Sequence, residues 1–412
     1  MLKISFIRTF TTTSLVSLSF LLCSFFANAN QSEQVAGISL DALQKSGFRL
    51  DWMTKSNSKG LHLLTLVDDS LYVMDNDDFL TRYNSNSGKW LWSTPIGNHV
   101  FEIHGISESP TGNRIYIISD GAMYVVEKAT GNYPIQDHTG NEVVSKKRQV
   151  LPLEWTANTP SITTNDFLFV YGSTGGDLVW FNPAIGFDIQ RYKIGSSIQT
   201  PLTLGSGMRG TQENVQTAIL AASTDGQVAG VDLKSASRLW SLQVTSPVSA
   251  PIAYGTNSKT MLDEELRRTS AFIAGTDQYI RAVDMHTGKR RWNILTSAKL
   301  TDSPVFLKDL VYQRIPNSGL AAYVAFPGLL SGKQEWLADD VFGNVITTTK
   351  DGNLLCWDQD QSIVQIVDPR KGGVVSTLTI PDAKTVIADN PTDGSLFILR
   401  NDNVLFRLVP RQ

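Results

Sequence analysis

The chain has 412 residues, of which 42% are hydrophobic and 18% charged, and its formal net charge is −3. That balance excludes a disordered chain, and the mild acidity excludes the basic face that a nucleic-acid partner needs. With only two cysteines, Cys23 and Cys356, the chain is no disulfide-stapled scaffold either.

Residues 1–29 read as a secretory signal. Lys3 and Arg8 form its positive start, residues 15–26 its apolar run, and Ala27-Asn28-Ala29 a small-x-small cleavage site. The run is short for a membrane span. Leu21 and Leu22 precede Cys23 where a lipidation motif needs small residues, so lipid anchoring is not expected. The expected product is exported to the periplasm or beyond the cell, starts at Asn30, has no transmembrane segment and keeps one cysteine, Cys356.

Residues 30–47 form a leader, in which residues 38–43 predict one helical turn. Residues 48–52 then read as a strand ending in Trp52, the last strand of a repeat whose beginning is missing. Copies of a repeated unit follow. One runs from Leu71 through Ser87-Gly88 to Trp92, another from Ile115 through Asp120-Gly121 to Thr130-Gly131, and a third from Phe167 through Gly175-Gly176-Asp177 to Ile194.

The clearest copies are residues 222–240 (ASTDGQVAGVDLKSASRLW) and 274–292 (AGTDQYIRAVDMHTGKRRW), which align without a gap at an offset of 52 residues. Thr224, Asp225, Asp232, Arg238 and Trp240 match Thr276, Asp277, Asp284, Arg290 and Trp292. A sixth copy runs from Leu310 to Trp336, a seventh from Val345 to Ile380, and an eighth from Thr385 to Leu408, with no Trp-ending strand. Self-similarity at this period, with alternating apolar residues and Asp, Asn or Gly turns, predicts a ring of small antiparallel sheets. The fold expected is an all-β propeller of eight four-stranded blades over residues 48–412, closed by the N-terminal strand. Seven blades stays open, because the sixth and eighth copies are weak. Thr159-Pro160, Thr200-Pro201, Ala250-Pro251 and Ser303-Pro304 mark the start of each innermost strand, where proline is tolerated.

The pattern apolar-x-x-x-x-Asp-Gly-x-apolar-x-x-apolar-Asp-x-x-(Thr/Ser)-Gly-x-x-x-Trp resembles the PQQ-like β-propeller repeat family, and within it the BamB branch more than the quinoprotein dehydrogenases. The dehydrogenase branch implies a longer chain and adjacent cysteines, which this sequence lacks. The resemblance implies that Trp52, Trp92, Trp240, Trp292 and Trp336 dock between blades. It also implies a non-catalytic, monomeric scaffold for protein partners in the cell envelope, with no cofactor. A PQQ-dependent oxidoreductase and a carbohydrate- or small-ligand-sensing propeller stay open beside it.

The chemistry-bearing residues support binding. The five histidines, His62, His99, His104, His138 and His286, have no metal-ligand spacing. His286 sits in a turn and is expected to be exposed. The stretch 205–210 matches GxGxxG but leads toward a strand, not the helix that a pyrophosphate needs, and reads as an inter-blade loop. The repeated aspartates read as turn formers and Cys356 as a buried strand residue. Three segments lie outside the repeat: 131–159 with Lys146, Lys147 and Arg148, 205–216 with Arg209, and 254–270 with Arg267 and Arg268. These are the candidate interaction loops, since binding concentrates on loops of a rigid scaffold.

Overall fold

A computed structural model describes residues 34–58, 60–97, 101–134, 150–208, 215–256, 269–326, 331–389 and 393–411. They form eight four-stranded antiparallel sheets, each a simple meander. Blade 1 comprises Leu63–Val67, Ser70–Met74, Phe79–Asn84 and Trp90–Pro95. Blade 2 comprises Ile103–Glu108, Arg114–Ser119, Ala122–Glu127 and Val150–Pro152, and blade 3 Ile162–Thr163, Phe169–Gly172, Asp177–Asn182 and Phe187–Lys193. Blade 4 comprises Thr203–Met208, Val215–Ala222, Gln227–Asp232 and Arg238–Gln243, and blade 5 Ala253–Thr256, Thr269–Ala274, Tyr279–Asp284 and Arg290–Leu295. Blade 6 comprises Val305–Leu307, Leu310–Ile315, Gly319–Val324 and Gln334–Ala338, and blade 7 Asn344–Thr348, Leu354–Asp358, Ile363–Val367 and Val374–Thr379. Blade 8 takes Ala383–Ala388, Leu396–Arg400 and Val404–Pro410 from the C-terminus and its outer strand, Phe48–Lys55, from the N-terminus.

The count of eight decides the question the sequence left open, and the N-terminal strand closes the ring. Closure pairs the strand edge that an open last blade would expose. The first strands of neighbouring blades approach one another around the central axis, and that of blade 8 meets that of blade 1. Each Pro step expected at the start of an innermost strand lies there: Pro160, Pro201, Pro251 and Pro304 precede the first strands of blades 3, 4, 5 and 6.

The core is distributed. Eight hydrophobic clusters lie one to each seam between neighbouring blades. A sheet buries both faces only when stacked, so no blade has a core of its own. At the seam of blades 4 and 5, for example, Leu220 and Val228 meet Ile273 and Val283.

The leader is more ordered than one helical turn. Gln34–Val35 pairs with Ile38–Ser39, and a helix follows over Leu40–Lys45. The Ser39 side chain caps it by accepting from the Ala42 amide at 3.1 Å. The leader crosses the seam of blades 7 and 8, from the Ala36 carbonyl, which accepts from Arg400, to Gly47, whose carbonyl accepts from the Arg411 amide. Its Ile38 and Leu43 are buried against Leu378 and Ile380 of blade 7 and Leu408 of blade 8.

Candidate interaction surface

The seams account for most of the conspicuous residues. Each of the five tryptophans singled out by the repeat donates its indole N–H to a backbone carbonyl of the next blade. Trp52 donates to Ser85 at 2.8 Å, Trp92 to Lys128 at 2.8 Å and Trp240 to Met285 at 2.6 Å. Trp292 donates to Ala325 and Trp336 to Pro369, each at 3.0 Å. Four are buried and Trp336 is half-buried. Each ring lies over a turn glycine of the receiving blade: Gly88, Gly131, Gly288, Gly332 and Gly372. At Gly288 a Cβ would lie 2.8 Å from Trp240, and its φ of +67° is one that L side chains rarely adopt.

The three remaining seams lack this pair. Blade 2 ends in Val150–Pro152, and opposite it Gly186 has nothing within 4 Å of a built Cβ. Between blades 3 and 4 the indole comes from Trp180, one strand further in, and donates to Leu233 at 2.9 Å. The outer strand of blade 7, Val374–Thr379, carries no Trp, and the leader helix lies against it; Trp357, on the second strand, packs in the cluster of that seam.

The repeated aspartates form turns, as residues of this type in this position should. Asp232 accepts from the amides of Lys234 and Ser235, Asp284 from those of His286 and Thr287, and Asp368 from that of Arg370. Asp284 is also paired with Arg291 at 2.9 Å, and Asp277 with Arg281 at 2.5 Å. Burial acts to raise the Asp284 carboxyl, but the Arg291 hydrogen bond and charge outweigh it, and the group is held below the usual carboxylate range. Asp277 is held down in the same way by Arg281. Cys356 is fully buried, and burial pushes its thiol pKa up.

Two expectations need correction. Residues 205–208 are not an inter-blade loop: they belong to the innermost strand of blade 4, paired antiparallel with Val215–Ala222, because the chain turns back within the blade. His286 is half-buried, not exposed, since its turn packs at the seam with blade 4 through Met285. His104 pairs with Asp120 at 2.8 Å. His99 and His138 lie outside the described residues, as do Lys146, Lys147, Arg148, Arg209, Arg267 and Arg268. Among the described residues no group of three His, Cys, Asp or Glu side chains could hold a metal ion, and no helix is long and apolar enough to cross a membrane.

The strands from which the three insertions depart are nevertheless fixed. Two insertions join the first and second strands of blades 4 and 5, and one joins the third and fourth strands of blade 2. In an antiparallel meander, first-to-second and third-to-fourth connections leave at the same end of the strands. All three insertions therefore depart from one face of the disc, and the second-to-third turns occupy the other.

A ring of eight such meanders, with tryptophan–glycine seams and Asp-capped turns, is a PQQ-like β-propeller. The chain belongs to the family described as outer membrane protein assembly factor BamB, whose model matches residues 135–378. No curated protein matches it in sequence. Among solved structures it is similar to BamB from Moraxella catarrhalis, at a TM-score of 0.60 and 14% identity, covering 88% of this chain and 97% of that one. It is similar also to the computationally designed Ika8 protein, at a TM-score of 0.60 and 13% identity, covering 88% of this chain and 99% of the other. At such identities the likeness is one of fold.

Proposed function

We propose that the protein is a non-catalytic, monomeric scaffold of the cell envelope, which binds protein partners in outer-membrane protein assembly through the face that carries its insertions. One observation carries the reading: every insertion departs from that face, and among them they carry the basic runs Lys146-Lys147-Arg148 and Arg267-Arg268. Lys146, Lys147 and Arg148 from blade 2, Arg209 from blade 4, and Arg267 and Arg268 from blade 5 would meet an acidic partner surface and steer its approach. Membership of the BamB family supports the envelope setting. Removal of residues 1–29 as a secretory signal belongs to the same reading.

Photo-crosslinking amino acids placed in the native envelope test it. Probes at Lys147, Arg209 and Arg267 should capture a reproducible protein partner. A probe at Asp360, in a second-to-third turn of blade 7 on the other face, should not. Equal capture from both faces, or none from the insertions, would sink the assignment.

A further inference from the structure

The seam between blades 8 and 1 is not filled to the rim. Its outer half holds a cavity of about 530 Å³, within the range of small-molecule sites. The cause is readable strand by strand. Blades 1 and 5 share one register: Thr81 pairs with Ser93 as Arg281 pairs with Asn293, and Tyr83 with Trp90 as Val283 with Arg290. In blade 5, Arg281 reaches back to Asp277 and lies 4.9 Å over the Tyr279 ring, so side chains occupy that outer half. In blade 1 the position of Arg281 is Thr81, whose hydroxyl is 3.0 Å from that of Ser93. The carboxylate matching Asp277 is Asp77, which has no side-chain partner among the described residues. The guanidinium is missing and the space it would fill is open.

What borders that space is chemically specific. Phe79, at one end, is 39% exposed, and Trp90, at the other, is 55% exposed. A β-bulge between Arg82 and Tyr83 turns Trp90 to the face opposite Trp92. Trp92 therefore docks on blade 2, while Trp90 faces the cleft. Phe79 and Tyr83 lie on one strand four positions apart, which sets the aromatic ends about 13 Å apart. Between them stand hydroxyls, and around them Asp77, Lys55 and Asn57, none of which has a side-chain partner among the described residues.

Aromatic faces at both ends suit the apolar faces of sugar rings, and the free carboxylate and amide suit their hydroxyls. With Asp75 and Asp77 against the single Lys55, the lining disfavours an anion. We propose that this cleft is a saccharide-binding site for a neutral glycan of disaccharide size, with its rings stacked on Trp90 and Phe79 and its hydroxyls held by Asp77 and Asn57. The site lies on the rim, apart from the insertions, and stands or falls independently of the scaffold reading.

Titration of the purified protein with cellobiose, maltose and N,N′-diacetylchitobiose, read by tryptophan fluorescence and saturation-transfer NMR, tests the proposal. At least one should bind with a Kd on the order of 1 mM, and Trp90→Ala should weaken it about tenfold or more. Thr81→Arg, which recreates the arrangement of blade 5, should abolish binding with no loss of thermal stability. Failure of all three sugars to bind at about 50 mM would overturn the proposal, as would unchanged binding by Trp90→Ala. Tighter binding of an anionic disaccharide, or occupation of the cleft by a peptide instead, would overturn it too. Should Thr81→Arg fail to fold, the exposed Trp90→Ala variant decides the matter.

Discussion

Trp240 and Gly288 show what a single residue does in this ring. The indole spans a seam, donates one hydrogen bond and covers a turn whose glycine leaves room for it. Removal of a buried tryptophan loses the transfer free energy of the ring and leaves a cavity. Trp240→Ala and Trp292→Ala should each destabilise by about 3–5 kcal/mol in chemical denaturation, and unchanged midpoints would refute a docking role. Gly288→Ala should also destabilise, by more than about 1 kcal/mol, because its φ is positive and its Cβ would press on Trp240. A second residue-scale expectation concerns acid. The folded pKa of Asp284 lies below its ordinary value of 3.8. The stability it contributes is therefore present above about pH 3.8 and lost as pH falls through the folded value. Melting temperatures of wild type and Asp284→Asn should converge as pH falls below that value, and a constant gap down to the acid limit would contradict the assignment.

At the scale of elements, the leader and the blade-8 outer strand matter most. The outer strand of blade 7 has no tryptophan to dock on blade 8, and the leader with Ile38 and Leu43 stands in that seam beside Trp357. Leu43 is almost fully buried, so Leu43→Ala should cost about 2–5 kcal/mol, a loss measurable by urea unfolding. A value near zero would mean the leader is an ornament to the fold. The strand Phe48–Lys55 pairs along the whole length of Val404–Pro410. Deletion of residues 34–55 should open the ring, expose the edge of Val404–Pro410 and drive association visible by gel filtration. A monodisperse monomer after that deletion would show that closure is dispensable.

For the whole molecule, the repeat makes stability a sum over seams. Cys356, buried in blade 7, reports on it directly. Its thiol should react with a bulky reagent only as fast as the seam opens, and Trp336→Ala, at the neighbouring seam of blades 6 and 7, should speed that reaction. Labelling at the rate of a free thiol in the native protein would contradict the burial.

The period, the turn residues and the terminal tryptophans were enough to give an all-β ring closed by its N-terminal strand, because one pattern had to satisfy every blade. The aspartates of the turns were legible for the same reason: an Asx cap is a local interaction, formed within three or four residues. The number of blades was legible as eight but not decided against seven, since the sixth and eighth copies depart from the pattern and the eighth draws its outer strand from the other end of the chain. Nor could the sequence pair Trp240 with Gly288 or Trp52 with Gly88, because each pair joins different copies across a seam. The cleft beside Trp90 lay beyond it altogether. The doublet Trp90-Leu91-Trp92 was visible, but only the bulge decides that its rings face opposite ways, and only the stacking of blade 8 on blade 1 decides that Thr81 leaves space unfilled. Local chemistry fixes each blade from its own residues. What lies between blades depends on side chains distant in sequence, and the closed ring alone brings them together.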